Sequence, residues 1–303
     1  MHISLDSALG QQRRLNQVGE SITQIAPNPT AAYSLRSITG GDPKAVRVRR
    51  SSDDAEQDFT VSEIHSGALV DFVGSGNDGF VETWYDQSGN GNDLTQATAS
   101  KQPTIVTSGT LNTRNNEPIV KFIQANSNVL LGSSTIPPTG TDFALTCFQA
   151  LHVDISSGSR LGIFGSAGGG SNPSTSSTYR FGSATSRKVT VRIKDASDTV
   201  TALESSALSN DTDSILTYMI KLNNGSLELQ TFNLGAQLGS AQTSSVTDQS
   251  YGYTHDTILG ARSPGDNFSD SEFFEVLFYA TDQLTNRDAI EANLSNKYGI
   301  SLS

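Results

Sequence analysis

The side chains best suited to chemistry cluster in Thr83-Trp84-Tyr85-Asp86-Gln87-Ser88-Gly89-Asn90-Gly91, where a strand pattern runs into a turn. Asp86, Ser88 and Asn90 are able to bond their own backbone amides, while Gly89 and Gly91 accept the positive φ that other residues avoid. Trp84, Tyr85, Asp86 and Asn90 together combine a flat apolar face with polar groups, a pairing that suits stacking on a sugar. The competing reading places Trp84 in the core, where aromatics on strands usually lie. A second acidic cluster, Asp266, Asp270 and Glu272, supplies the oxygen ligands that calcium prefers but lacks the spacing of a calcium loop.

Other chemistries find less support. The four histidines, His2, His65, His152 and His255, stand far apart and form no metal-spacing pair. No Gly-x-Ser-x-Gly elbow marks a serine nucleophile, and no glycine loop cradles a phosphate. Cys147 is the only cysteine, so neither an intrachain disulfide nor a cysteine zinc site is expected. Its setting, Leu145-Thr146-Cys147-Phe148, is that of a small buried hydrophobe. The expectation is therefore no cofactor and no resident metal.

Charge narrows the partners. The chain has 303 residues and a formal net charge of −11. Arg13, Arg14, Arg36, Lys44, Arg47, Arg49 and Arg50 face only Asp6, Glu20 and Asp42 within residues 1–50, so the remainder is strongly acidic. An acidic body repels nucleic acid, whose binding rests on Lys and Arg neutralising phosphates. The basic stretch is either a solvated face or a surface for an acidic partner. No run approaches the ~20 apolar residues of a membrane span, and the opening Met1-His2-Ile3-Ser4-Leu5 lacks the pattern of a secretory signal. The expected route is synthesis in a cytoplasm, with exit by lysis if the protein acts outside.

These side chains need a scaffold, and the hydrophobic pattern describes one. Leu5, Leu9, Leu15, Val18, Ile22 and Ile25 fall at roughly helical spacing until Pro27 and Pro29. Such a stripe must pack on the main domain, on copies of itself or on a larger assembly. From Thr30 the period becomes that of strands: Val46 and Val48 alternate with Arg47 and Arg49. Further strand runs are expected at 80–86, 119–124, 145–153, 160–165, 188–194, 215–222, 227–232, 256–261 and 273–280, without intervening helices. Asn223-Asn224-Gly225 is a hairpin signal, and 165–178 and 234–250 read as exposed loops. One helix closes the chain, with Thr285 and Asp288 as a capping box, Ile290, Leu294 and Tyr298 on one face, and Gly299 as its stop. The fold class is all-β: a concanavalin A-like jelly-roll sandwich over 30–303, with an N-terminal segment 1–29 and a C-terminal helix.

The segments Ala45-Val46-Arg47-Val48-Arg49-Arg50-Ser51-Ser52-Asp53-Asp54, Tyr85-Asp86-Gln87-Ser88-Gly89-Asn90-Gly91 and Gln102-Pro103 carry a family likeness. They resemble the catalytic-domain sandwich of α-L-arabinofuranosidase B enzymes and related concanavalin A-like domains of bacterial and phage surface proteins. The likeness runs from about Ala31 to Ser303, with Ile258-Leu259-Gly260, Phe274-Glu275-Val276 and Lys297-Tyr298-Gly299 resembling the closing elements. It implies an acid/base at Asp266, beside Asn267, and a nucleophile in a strand bearing Asp-x-Glu. Retaining glycosidases need both carboxyls, about 5–5.5 Å apart. The strand pattern 188–196 offers no such pair, 215–224 holds no acid, and the enzymes' paired cysteines are missing. The resemblance thus implies a phage virion protein (a tail fibre, tail-associated part or capsid-surface fibre) whose lectin-like domain contacts host-surface carbohydrate. It further implies attachment to other virion proteins through residues 1–29 and trimeric assembly. A glycoside hydrolase of the arabinofuranosidase type is the alternative.

Overall fold

The computed structural model describes residues 21–132, 142–154, 165–166, 188–194, 200–245, 257–263 and 266–303. Residues 1–20 of the helical stripe, nearly all of the expected strand 160–165 and most of loop 165–178 lie outside the described residues.

Thirteen strands make up most of the described sheet structure. They are β1 (Ala31–Ser34), β2 (Lys44–Arg50), β3 (Glu56–Thr60), β4 (Gly79–Trp84), β5 (Thr104–Thr107), β6 (Val120–Phe122) and β7 (Phe143–Asp154). After them come β8 (Lys188–Lys194), β9 (Val200–Ala207), β10 (Thr212–Asn223), β11 (Ser226–Asn233), β12 (Thr257–Leu259) and β13 (Asp270–Tyr279). In one layer β13 is flanked by β1 and β6 on one edge and by β7 on the other, and β10 and β11 follow. The facing layer runs β3, β2, β4, then Leu94–Thr95, Leu130–Gly132 and β12. β6 links the two by pairing β13 and, through Lys121 opposite Thr104, β5. All described pairings are antiparallel, and the result is a two-layer β-sandwich.

Alternation fills the space between the layers. Val46, Val48, Val81, Trp84 and Leu259 meet Tyr33, Cys147, Leu216, Tyr218 and Val276 in one core. The predicted hairpin forms: Asn223 pairs with Ser226, and Asn224 and Gly225 take φ of 48° and 75°.

The outer face of the β1–β13–β7–β10 layer carries a second core, sealed by helices α1 (Ile22–Ile25) and α4 (Arg287–Tyr298). Between them, α2 (Val61–Ser66) and α3 (Ala68–Val73) interrupt the strand series, against the expectation of no intervening helices. Thr60 caps Glu63 N and the Glu63 carboxylate returns to Thr60 N, a capping box written in the sequence as Thr-x-x-Glu. The N-terminal boundary also changes. Ile22 and Ala26 are fully buried in the second core, and the Tyr279 hydroxyl donates to Ala26 O at 3.0 Å, so residues 21–29 are part of the sandwich body. In α4, Ile290, Leu294 and Tyr298 are buried as expected and Gly299 ends the helix with φ 63°, but Asn286 rather than Thr285 occupies the cap position.

Candidate functional site

The Tyr85–Asn92 turn is held by hydrogen bonds within itself and to residues 29–38. Asp86 Oδ1 accepts from Ala32 N (2.8 Å) and Ser88 N (2.9 Å), and Oδ2 accepts from Ser88 Oγ (2.7 Å) and Asn92 N (3.0 Å). Asp93 in turn holds Asp86 N at 2.8 Å. Asn90 Nδ2 donates to Pro29 O and Thr30 O, and Asn92 Nδ2 to Thr30 O at 2.8 Å. Buried Gln87 donates to Ser34 O and Arg36 O and accepts from Ile38 N. The Tyr33 hydroxyl closes the ring of contacts by donating to Asn92 O. Gly89 and Gly91, with φ of 86° and 73°, let the backbone curl around the carboxylate. The turn is a clasp over residues 29–38.

That geometry corrects the sugar-stacking reading of this segment. Trp84 is fully buried, 6.2 Å from the Tyr33 ring, and its Nε1 has no hydrogen-bond partner. No face of it is open to a ligand, because position 84 points between the layers. Both oxygens of Asp86 and the amide nitrogen of Asn90 already serve the clasp, so the Asp86 carboxylate has no oxygen outside it. Tyr85 is half-buried and donates to Asp58 Oδ1 at 2.7 Å, with the Lys44 ammonium 5.7 Å from its ring centre. Burial and the bond to Asp58 both raise its phenol above the ordinary range.

The basic strand is similarly self-contained. Lys44 pairs with Asp58, Arg49 with Asp54 and Arg50 with Asp53. Arg47 Nε lies 3.1 Å from Asp58 Oδ1 without hydrogen-bond geometry. The two bonds from Arg50, with one from Ala55 N, hold the Asp53 carboxyl down at about 2. Arg-Val-Arg-Arg-Ser-Ser-Asp is therefore a hairpin that neutralises its own charge.

Asp266 and Asn267 sit in a short strand, Asp266–Phe268, paired with Ala261–Ser263; their side chains lie outside the described ones. Gly260, at φ 87°, lets the Phe122 ring pack against its backbone, where a Cβ would overlap the ring. The other two acids of this region have protein partners: Asp270 Oδ1 accepts from Gln124 N, and Glu272 faces Arg114 at 2.6 Å and Lys121 at 3.5 Å. Among the described residues, no three His, Cys, Asp or Glu side chains are arranged to hold a metal ion. Cys147 is buried, and burial pushes its thiol up to about 12.

Two acids that sequence reasoning assigned no role are fully buried under α4. Glu275 accepts from Ser34 Oγ (2.8 Å), Arg36 Nε (2.7 Å), Arg36 Nη2 (3.1 Å) and the Tyr298 hydroxyl (2.7 Å). It reaches α4 because β13 bulges against β7: Ala150 pairs with Glu275 and Leu151 with Phe273, so Phe274 is the extra residue. Glu291 accepts from Thr217 Oγ1 and Arg287 Nη1, both at 2.7 Å. Arg287 and Glu291 stand at the i,i+4 spacing of a helix face, but no spacing rule joins Glu275 to residues 34 and 36 or Glu291 to Thr217, so only the fold reveals those contacts.

No protein-family model matches the chain, and no curated protein matches it in sequence. Solved structures do. An arabinofuranosidase complexed with arabinofuranosyl-α-1,2-xylobiose aligns over 90% of this chain and 64% of its own, with TM-score 0.51 and 18% identity. An α-L-arabinofuranosidase soaked with a cyclic sulfate inhibitor aligns over the same shares, with TM-score 0.52 and 18% identity. The binding domain of Paraclostridial Mosquitocidal Protein 1 aligns over 70% of this chain and 49% of its own, at 10% identity and a TM-score of 0.49, too low to argue from. The chain thus spans less than two thirds of the enzymes it matches. At this identity the similarity is one of architecture, and it joins the strand series and closing helix in defining an antiparallel β-sandwich.

Proposed function

We propose that this chain is a non-catalytic recognition protein of a phage virion, a tail fibre, tail-associated part or capsid-surface fibre, whose sandwich rim contacts host-surface glycan. The observation that carries this reading is the clasp. The residues that most resemble the arabinofuranosidase domain, Asp86 to Asn90, hold residues 29–38 in place through Asp86 Oδ1, the Gln87 and Ser88 side chains and the Asn90 amide nitrogen. The resembling motif therefore supports inheritance of a scaffold, and recognition falls to the rim, where Tyr85, Asp266 and Asn267 remain candidates. A single buried cysteine and a Gly-, Ser- and Thr-rich acidic body suit assembly in a host cytoplasm followed by exposure outside. On this reading the N-terminal segment, residues 1–29, attaches the sandwich to other virion proteins and supports a trimer.

The alternative is an arabinofuranosidase-type hydrolase working through Asp266. A glycan array and a reducing-sugar assay on host polysaccharide, run on the full chain and on Asp266→Asn, separate the two. The expected result is binding without sugar release in either protein. Sugar release that vanishes in Asp266→Asn would establish the hydrolase, and no binding to any glycan would leave only a scaffold role.

A further inference from the structure

Near the end of β7, His152 lies in register with Asp213 of β10 on one side and Glu272 of β13 on the other. Its side chain is 8% exposed, with Nδ1 2.8 Å from Asp213 Oδ1 and Nε2 3.2 Å from Asp211 Oδ1. Carboxylates only accept. A neutral imidazole has one N–H, which the hydrogen bond to Asp213 uses, while the Asp211 contact lacks hydrogen-bond geometry and is an ion pair only when the ring is charged. Only the doubly protonated ring attracts both carboxylates.

The surrounding charges make the two aspartates unequal. Asp213 is anchored by Asn115 Nδ2 at 3.0 Å, with Arg114 Nη1 3.5 Å away. Glu272 is matched by Arg114 and Lys121. Asp211 is 81% exposed, sits in the β9–β10 connection at φ 52°, and has His152 as its ion-pair partner among the described residues. Two cations, Arg114 and Lys121, thus face three carboxylates, Asp211, Asp213 and Glu272. A proton on His152 supplies the missing positive charge.

We propose that His152 is a proton-operated fastener for the β9–β10 turn. With the ring doubly protonated, Asp211 is tied to β7. With the ring neutral, Asp213 keeps the one N–H, and Asp211 with its turn comes free. The contact is present with the ring charged and absent with it neutral. The fastener does not depend on what the rim binds.

Hydrogen exchange of residues 209–212, corrected for intrinsic rates, tests this in the full chain between about pH 5 and 8, the range in which histidines change charge. Protection should rise roughly three- to tenfold toward acid, as expected for one charge-assisted contact with an exposed partner. Asp211→Asn should remove that dependence without loss of fold, because an amide can meet the neutral ring as donor and the charged ring as acceptor. Side-chain nitrogen NMR of His152 should show both nitrogens protonated at the acid end. Equal protection at both ends, a pH dependence that survives in Asp211→Asn, or a singly protonated ring at the acid end would overturn the proposal.

Discussion

The Asp86 clasp and the Glu275 network under α4 are both buried-edge carboxylates that fasten one part of the chain to another, yet they work differently. Asp86 is held by backbone amides and a hydroxyl, three of its four donors lying within six residues. Glu275 is fully buried and held by a guanidinium and two hydroxyls drawn from residues 34, 36 and 298. Neutral local donors organise a turn cheaply, because the carboxylate keeps contact with solvent. A fully buried ion pair must instead overcome desolvation of both charges, so it stabilises only while complete. Its value lies in specificity: Arg36 also donates to Asn293 Oδ1 at 2.6 Å, so one arginine sets where α4 lands on β13 and β1.

This contrast orders the expected effects. Glu275→Gln should be the most damaging, at about 3–5 kcal/mol, since it leaves Arg36 buried without its counter-charge. Urea denaturation followed by far-UV circular dichroism measures it. Asp86→Asn keeps one acceptor oxygen but turns an amide toward Asn92 N. A loss of about 1–3 kcal/mol is expected, the cost of one unsatisfied donor. If Asp86→Asn proved as harmful as Glu275→Gln, the distinction between a solvated clasp and a buried network would fail.

The smallest effect belongs to the exposed Arg50–Asp53 pair, the control for both. The Asp53 carboxyl is held at about 2 chiefly by the hydrogen bonds from Arg50. A carboxyl depressed on folding contributes stability above its unfolded pKa, and that contribution disappears as pH falls through the folded value. Arg50→Gln should therefore raise the Asp53 midpoint in a carbon-detected NMR titration toward the ordinary value near 3.9. Stability at neutral pH should fall by less than in the two variants above, since solvent screens an exposed pair, and the difference should fade as pH drops through the folded midpoint. A midpoint still near 2 would show that Ala55 N alone suffices.

How much of this was legible in the sequence follows from how far each partner lies along the chain. The strand at Lys188–Lys194, the Asn224–Gly225 turn and the apolar face of α4 depend on neighbours two to four residues apart, and periodicity shows them. The local bonds of Asp86 and Ser88 were legible for the same reason, whereas the Asn90 side chain reaches Pro29 and Thr30 instead of its own turn. α2 was missed although Thr60 and Glu63 announce it, because one helical turn inside a strand series leaves too short a pattern to compete. Trp84 could not be placed, since a strand residue faces core or solvent according to register, and a bulge between Arg47 and Val48 shifts the β2–β4 pairing beside it. Ile22 and Ile25 showed a helical stripe, but not which surface would cover it.

Read alone, the sequence determined many of the strands after Thr30 and the closing helix, the acidic balance, the turn chemistry of residues 85–88 and the lack of an intrachain disulfide. Those properties arise from composition and from side chains close together along the chain. Only the tertiary structure decided that Trp84 is core, that the arginine strand is internally neutralised, that Glu275 and Glu291 seat α4, and that His152 stands between two aspartates. Apart from the short-range pairs of the arginine hairpin and Arg287–Glu291, these join residues tens to hundreds of positions apart, and their meeting depends on sheet register. Register is a property of the whole packed sandwich, because moving a strand by one residue turns every side chain to the opposite face.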